Sequence, residues 1–310
     1  MSSFQSATKD YLELRRSVGY KLKGQGVIVG KYATFLDTID APVSTIETAM
    51  AFVYAAGTDH TSCQPFLRWI AVRGFARYLS GIEPLTEIPP AGGVSYRQKR
   101  RMPYVFTTAD IQRLMAVTQE VNRSPFRAAT TRTMIGLLSV TGMRVGEAIG
   151  LHHDDIDLSA GVITIHFSKF GKSRHLPISL SSRDALADYA NQREIEHGPT
   201  TSFFVSLTGA PLIYTNFRLT FQRAIQASQV GSDSPIKPRI HDLRHTFAIN
   251  TVTNWYRNGL DAETLLPRLS TYLGHDGPRF TYGYLTATPE LLGHATSRLE
   301  NHQATSEPLK

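Results

Sequence analysis

In residues 8–80 the apolar side chains recur at three- and four-residue intervals, as in Tyr11, Leu12 and Leu14 and again in Ile28, Tyr32, Phe35 and Leu36. That spacing lines one face of an α-helix, so the whole stretch reads as helical. Ser44, with Glu47 three residues on, predicts a capping box that opens a further helix. Phe66, Ile70, Val72, Phe75 and Tyr78 predict another, starting near Gln64. Four short helices packed on one core are expected.

The pattern lapses after Glu83 into Pro84, Pro89, Pro90, Gly92 and Gly93, followed by the basic run Arg97, Gln98, Lys99, Arg100, Arg101. This is linker composition. The expected division is a helical domain at 1–88, a basic Pro/Gly linker at 89–105 and a second domain at 106–310. Helical spacing resumes after Thr107 and Asp110 with Ile111, Leu114 and Met115, and a second helix over 128–141 ends near Gly142. The period then changes: Val162 to Phe167 and Arg174 to Ile178 predict an antiparallel hairpin turning at Gly171. Helical patterns return at 182–196, 215–227 and 241–256. The fold class expected is mainly α with a small antiparallel β-sheet inside the second domain.

Charge narrows the partners. The 33 Lys and Arg residues outnumber the 26 Asp and Glu residues by 7, which favours a polyanion over a basic partner without proving one. Cys63 is the single cysteine, so no internal disulfide forms, and no zinc site can use paired thiolates. The first ten residues become charged without an apolar stretch, and no apolar run approaches the roughly 20 residues that cross a bilayer. A cytoplasmic protein with no membrane partner is expected.

Four segments of the second domain carry candidate chemistry. In Thr141-Gly142-Met143-Arg144-Val145-Gly146-Glu147 an arginine follows a helix-ending glycine and has an acid three residues later. In Ser168-Lys169-Phe170-Gly171-Lys172-Ser173-Arg174 lysines stand at the hairpin tip. Gly171-Lys172-Ser173 resembles the end of a nucleotide-binding loop, but His166 stands where that loop needs Gly, and the run joins two strands. In His241-Asp242-Leu243-Arg244-His245, His241 and Arg244 share one helix face and suit a phosphate. An arginine between His241 and His245 repels a cation, so no metal is expected there. The fourth segment sets Tyr284 nine residues after His275, with Tyr282 as a neighbouring alternative.

These segments, in this order, resemble the signature of the tyrosine recombinase and phage integrase family, which includes Xer-type enzymes. The resemblance covers residues 106–292 and implies a helical, SAM-like core-binding domain before a mixed α/β catalytic domain. Carried over by position, it makes Arg144, Lys169, His241, Arg244 and His275 catalytic, makes Tyr284 the nucleophile, and gives Glu147 and Asp242 supporting roles. It implies cleavage and rejoining of DNA through a 3′-phosphotyrosyl intermediate and a Holliday junction, serving integration, excision or resolution of a mobile element or replicon.

The family reaction implies no cofactor, metal or ATP. The partners implied are double-stranded DNA with a specific recombination site, a tetramer of the chain on that DNA, and an accessory or partner recombinase. The place of action is then the bacterial cytoplasm, at the nucleoid. Arg97, Lys99, Arg100, Arg101, Lys172 and Arg174 are expected to touch DNA. The alternatives are a catalytically silent DNA-binding regulator and a type IB topoisomerase-like enzyme. All six reactive positions are filled, which disfavours the first. The short chain and its helical first half disfavour the second.

Overall fold

The structure, a computed structural model, describes residues 4–55, 62–96, 102–166 and 173–275, together with Gly293. The chain divides into two compact units, Met1–Arg100 and Arg101–Lys310.

The first unit contains four described helices: α1 (Phe4–Ser17), α2 (Lys23–Thr38), α3 (Ile46–Val53) and α4 (Gln64–Leu79). Their apolar faces meet in one cluster built on Tyr11, Val29, Tyr32, Leu36, Phe52, Trp69, Val72 and Phe75. Burying such side chains stabilises the unit by roughly 1.5–3 kcal/mol each. Tyr32 is fully buried, and its hydroxyl lies 2.8 Å from Ser44 Oγ and 3.1 Å from Thr48 Oγ1, so its polar end is paired. The cap of α3 differs from the sequence expectation by one residue. Thr45 is the N-cap, its hydroxyl accepts from the Thr48 N–H at 3.1 Å, and Thr48 Oγ1 accepts in return from the Thr45 N–H. Ser44 is recruited into the core by Tyr32 instead.

Residues 89–94 pack onto this unit. Trp69 Nε1 donates to the Pro90 carbonyl at 3.0 Å, and Val94 joins the core.

The second unit is organised on α7 (Pro125–Thr141), which buries residues all round, among them Ala128, Thr131, Met134, Ile135, Leu138 and Thr141. A helix apolar on all sides belongs in a core. Around it lie α5 (Thr108–Ala116), the short α6 (Thr118–Val121), α9 (Leu180–His197) and α10 (Tyr214–Ser228), with α8 (Val145–Ile149) following α7. Thr107 caps α5, accepting from the Asp110 N–H at 3.0 Å while Asp110 accepts from the Thr107 N–H at 2.9 Å.

A three-stranded antiparallel sheet runs β1 (Ile156–Asp157), β2 (Val162–Ile165) and β3 (Arg174–Pro177) in that order. β2 pairs with β3 so that Ile163 opposes Leu176 and Ile165 opposes Arg174. Ile163, Ile165 and Leu176 are buried, so one face of the sheet covers the core. β1 was not expected from the sequence, because two residues are too few to show alternation.

α11 (Ile240–Arg257) and α12 (Ala262–Leu273) complete the described part. Leu266, Leu269 and Leu273 of α12 pack on Ala248, Ile249 and Val252 of α11. α12 is a further unforeseen element, since Pro267 lies inside it and proline normally breaks a helical pattern. Among the described residues no helix is long and apolar enough to cross a membrane.

Candidate active site

Gly142 ends α7 in the left-handed region at φ 59°, and a Cβ there would stand 2.5 Å from Phe247 Cδ1. Only glycine satisfies both demands. The chain turns there and places Arg144 as the residue preceding α8. Arg144 is fixed at three points. Its N–H donates to Glu147 Oε2 at 2.8 Å, its Nη1 to Glu147 Oε1 at 2.8 Å and its Nη2 to the Gly274 carbonyl at 2.6 Å. Glu147 is 9% exposed, and burial alone would raise its pKa. Hydrogen bonds from Arg174 and Arg144 outweigh this and hold the carboxyl below its ordinary range, so it is an anion.

Arg244 rises from the first turns of α11 and is buried. Its Nη1 donates to the Gly142 carbonyl at 2.8 Å and its Nη2 to the Leu273 carbonyl at 2.6 Å. The fully buried Asp242 faces another way. It accepts from the Arg239 N–H at 2.9 Å, from Arg239 Nε at 3.2 Å and from Arg239 Nη2 at 2.8 Å, which holds the N-terminus of α11. His241 and His245 stack edge to face, ring centroids 4.6 Å apart. Crowding beneath its neighbours, then His245 and Arg244, press the His241 pKa down to about 4. His241 is nonetheless exposed at the surface, so solvent moderates that depression.

α12 ends at Gly274, φ 66°, and His275 follows with its N–H on the Ser270 carbonyl at 2.9 Å. Burial, then Arg244 and Arg144, push the His275 pKa down to about 4. At neutral pH both rings are therefore uncharged. Three consecutive carbonyls at this helix end each accept from a different guanidinium. Tyr272 accepts from Arg174 Nε at 2.7 Å, Leu273 from Arg244 and Gly274 from Arg144. The partial negative charge of a helix C-terminus lets cations gather. The result is a cluster of positive charge beside two neutral imidazoles, suited to an anionic tetrahedral centre.

The structure thus brings together Arg144, Glu147, His241, Asp242, Arg244 and His275. Lys169, Lys172, Tyr284, Arg97, Lys99, Arg100 and Arg101 lie outside the described residues. Arg174, expected at DNA, has its side chain only 10% exposed and forked onto Glu147. Sequence reasoning did not single out Arg239 or Gly274. Arg239 stands three residues before Asp242, an acid–base spacing that could have pointed to the pair.

A sequence model of the phage integrase family matches residues 104–290. A chain of Sinorhizobium fredii named integrase/recombinase y4rB is 38% identical over 312 residues, covering 97% of this chain and 98% of that one. Tyrosine recombinase XerC of Azotobacter vinelandii is 32% identical over 178 residues, 57% of this chain and 56% of its own. Among solved structures, XerH recombinase bound to palindromic difH substrate in a post-cleavage complex aligns with a TM-score of 0.65 at 19% identity, covering 97% of this chain and 85% of that one. A lambda integrase dimer on a COC' core site aligns at 0.61 with 18% identity, covering 91% and 77%. The chain belongs to the phage integrase family of tyrosine recombinases, enzymes that cut and rejoin DNA strands without metal or ATP.

Proposed function

We propose that Tyr284 attacks a DNA phosphodiester held by Arg144 and Arg244, in a site-specific recombination reaction. The observation that carries this reading is the meeting of those two guanidiniums on adjacent carbonyls of α12, beside His241 and His275. The phenolic oxygen bonds to phosphorus as the bond to the 5′-oxygen breaks, leaving a 3′-phosphotyrosine and a 5′-hydroxyl. Arg144 and Arg244 neutralise the non-bridging oxygens as charge builds on them.

A tyrosine hydroxyl has a free pKa near ~10 and needs an acceptor for its proton. His241, neutral at working pH, has a ring nitrogen able to take it. Lys169 protonates the departing 5′-oxygen, and His275 donates a hydrogen bond to the phosphate. Glu147 and Asp242 hold the two arginine-bearing elements in place. Attack by the 5′-hydroxyl of another strand reverses the steps and completes exchange.

The partner is duplex DNA with a specific site. Residues 1–88 and the basic residues Arg97, Lys99, Arg100, Arg101 and Lys172 lie on its phosphates, so binding weakens steeply with salt. Four copies act on two sites through a Holliday junction at the bacterial nucleoid, with or without an accessory or partner recombinase. One experiment tests the core of this. Wild type and Tyr284→Phe are incubated in EDTA with nicked DNA carrying the cognate site, obtained by selection from random sequence. A covalent adduct on a denaturing gel with wild type alone is expected. An adduct that persists in the variant moves the nucleophile to Tyr282, and site binding by wild type without any adduct leaves a silent regulator.

A further inference from the structure

Glu147 is shared. Its Oε1 accepts from Arg144 Nη1 at 2.8 Å and Arg174 Nη1 at 3.1 Å, while its Oε2 accepts from the Arg144 N–H at 2.8 Å and Arg174 Nη2 at 2.7 Å. A carboxylate offers about four acceptor positions, so each arginine takes half of it. Arg174 spends its remaining Nε on the Tyr272 carbonyl at 2.7 Å. Its guanidinium is therefore bound on both edges, and the side chain is 10% exposed. That is poor geometry for a phosphate contact.

We propose that Arg174 is a positioning residue for strand cleavage, acting through Glu147 on Arg144 and through Tyr272 on the end of α12. The inference rests on Arg144 binding the reacting phosphate.

Two arginines on one carboxylate leave a net charge of about +1 facing the site. Without Arg174, Glu147 pairs with Arg144 alone and cancels the charge that the phosphate needs. The fork of Glu147 also becomes free to engage Arg144 on both oxygens and turn it from the Gly274 carbonyl. Gly274 completes the arrangement, since a Cβ there would stand 2.9 Å from Arg174 Nη1 and 3.4 Å from Arg144 Nη1. β3, which Arg174 opens, is thereby tied to α12 and so to His275 directly after it.

The test separates positioning from mere folding by varying the charge on the phosphate. Single-turnover cleavage is measured with the full chain on the selected nicked site, carrying either the natural phosphate or a methylphosphonate at the scissile position. The methylphosphonate lacks the charge that Arg144 neutralises. Arg174→Ala should lose roughly 100-fold on the phosphate, the scale of losing one well-placed electrostatic donor, and less than about threefold on the methylphosphonate.

Arg174→Lys should lose nearly as much on the phosphate, because one ammonium cannot fork Glu147 and reach Tyr272 together. It also keeps the comparison open if the alanine variant melts below the assay temperature. Equal losses on both substrates, or wild-type rates in Arg174→Lys, would overturn the proposal. So would a fall of about 0.9 in the salt slope of binding, the mark of one lost phosphate contact. Arg144→Ala run alongside must itself discriminate between the substrates. If it does not, the reading of Arg144 as phosphate ligand fails, whereas failure of Arg174→Ala alone sinks only this inference.

Discussion

Arg244 donates to the main-chain carbonyl of Leu273 at 2.6 Å, and because the same guanidinium reaches the Gly142 carbonyl at 2.8 Å, one buried side chain joins the ends of α7 and α12 to α11. Arg244→Ala leaves both carbonyls without that partner, and a cost of about 2–4 kcal/mol follows from stranding buried acceptors of a charged donor. Urea unfolding measures it. Arg244→Lys restores the charge without the fork, so it should recover stability better than cleavage, with the adduct forming roughly 100-fold more slowly. A lysine variant cleaving at the wild-type rate would contradict the assignment.

Two glycines four residues apart should respond oppositely to a methyl group. Gly142→Ala meets the Phe247 ring at a positive φ and should cost about 2–3 kcal/mol. Gly146 lies inside α8 with nothing within 4 Å of a Cβ, so Gly146→Ala should be neutral or stabilising by up to about 1 kcal/mol. Melting temperatures of the pair decide. Equal shifts would show that Phe247 yields more readily than its packing indicates.

The histidines set a pH dependence with a definite sign. His241 and His275 are pushed from 6.5 to about 4, so between those values the unfolded chain binds more protons than the folded one. Stability should fall as pH drops through that window, more through His275 than through the partly solvated His241. A bound phosphate opposes the depression, because it favours the charged rings. DNA binding should therefore take up protons and tighten from pH 7.5 to 5.5, and replacing His275 with Gln should shrink the change. Affinity independent of pH in wild type would refute this.

Tyr32→Phe tests the first unit. It removes the hydroxyl lying against Ser44 and Thr48 and leaves the buried Ser44 without it, at a cost of about 1–2 kcal/mol. Thermal unfolding followed by circular dichroism gives the value, and no change would mean that Ser44 finds another partner.

Helices with clean periodicity and polar starts were legible in the sequence. Thr107 with Asp110 announced α5, and Gly142 announced the end of α7. The cap of α3 is ambiguous in the sequence because Ser44, Thr45 and Thr48 offer competing hydroxyls, and only the packing of Tyr32 decides which of them turns inward. α8 and β1 were too short for any period to show. Of the candidate site, Arg144, His241, Arg244 and His275 stood out together because their order along the chain resembles the family signature, and the fold sets them beside one another. The place of Arg174 was not, since a long-range fork onto Glu147 leaves no mark in local pattern. The same holds for the carbonyls of Tyr272 and Leu273, because a main-chain acceptor can belong to any residue.

The three occupied carbonyls at the end of α12 also restrict how the chain can change in length. One residue inserted within a helix turns its end by about 100° and advances it by about 1.5 Å. Inside α12 that single step would swing the Tyr272, Leu273 and Gly274 acceptors off Arg174, Arg244 and Arg144 together. The turn at 258–261 carries no such obligation to the arginines. Insertions that leave the enzyme working should therefore collect there, before Ala262, while α12 keeps its count.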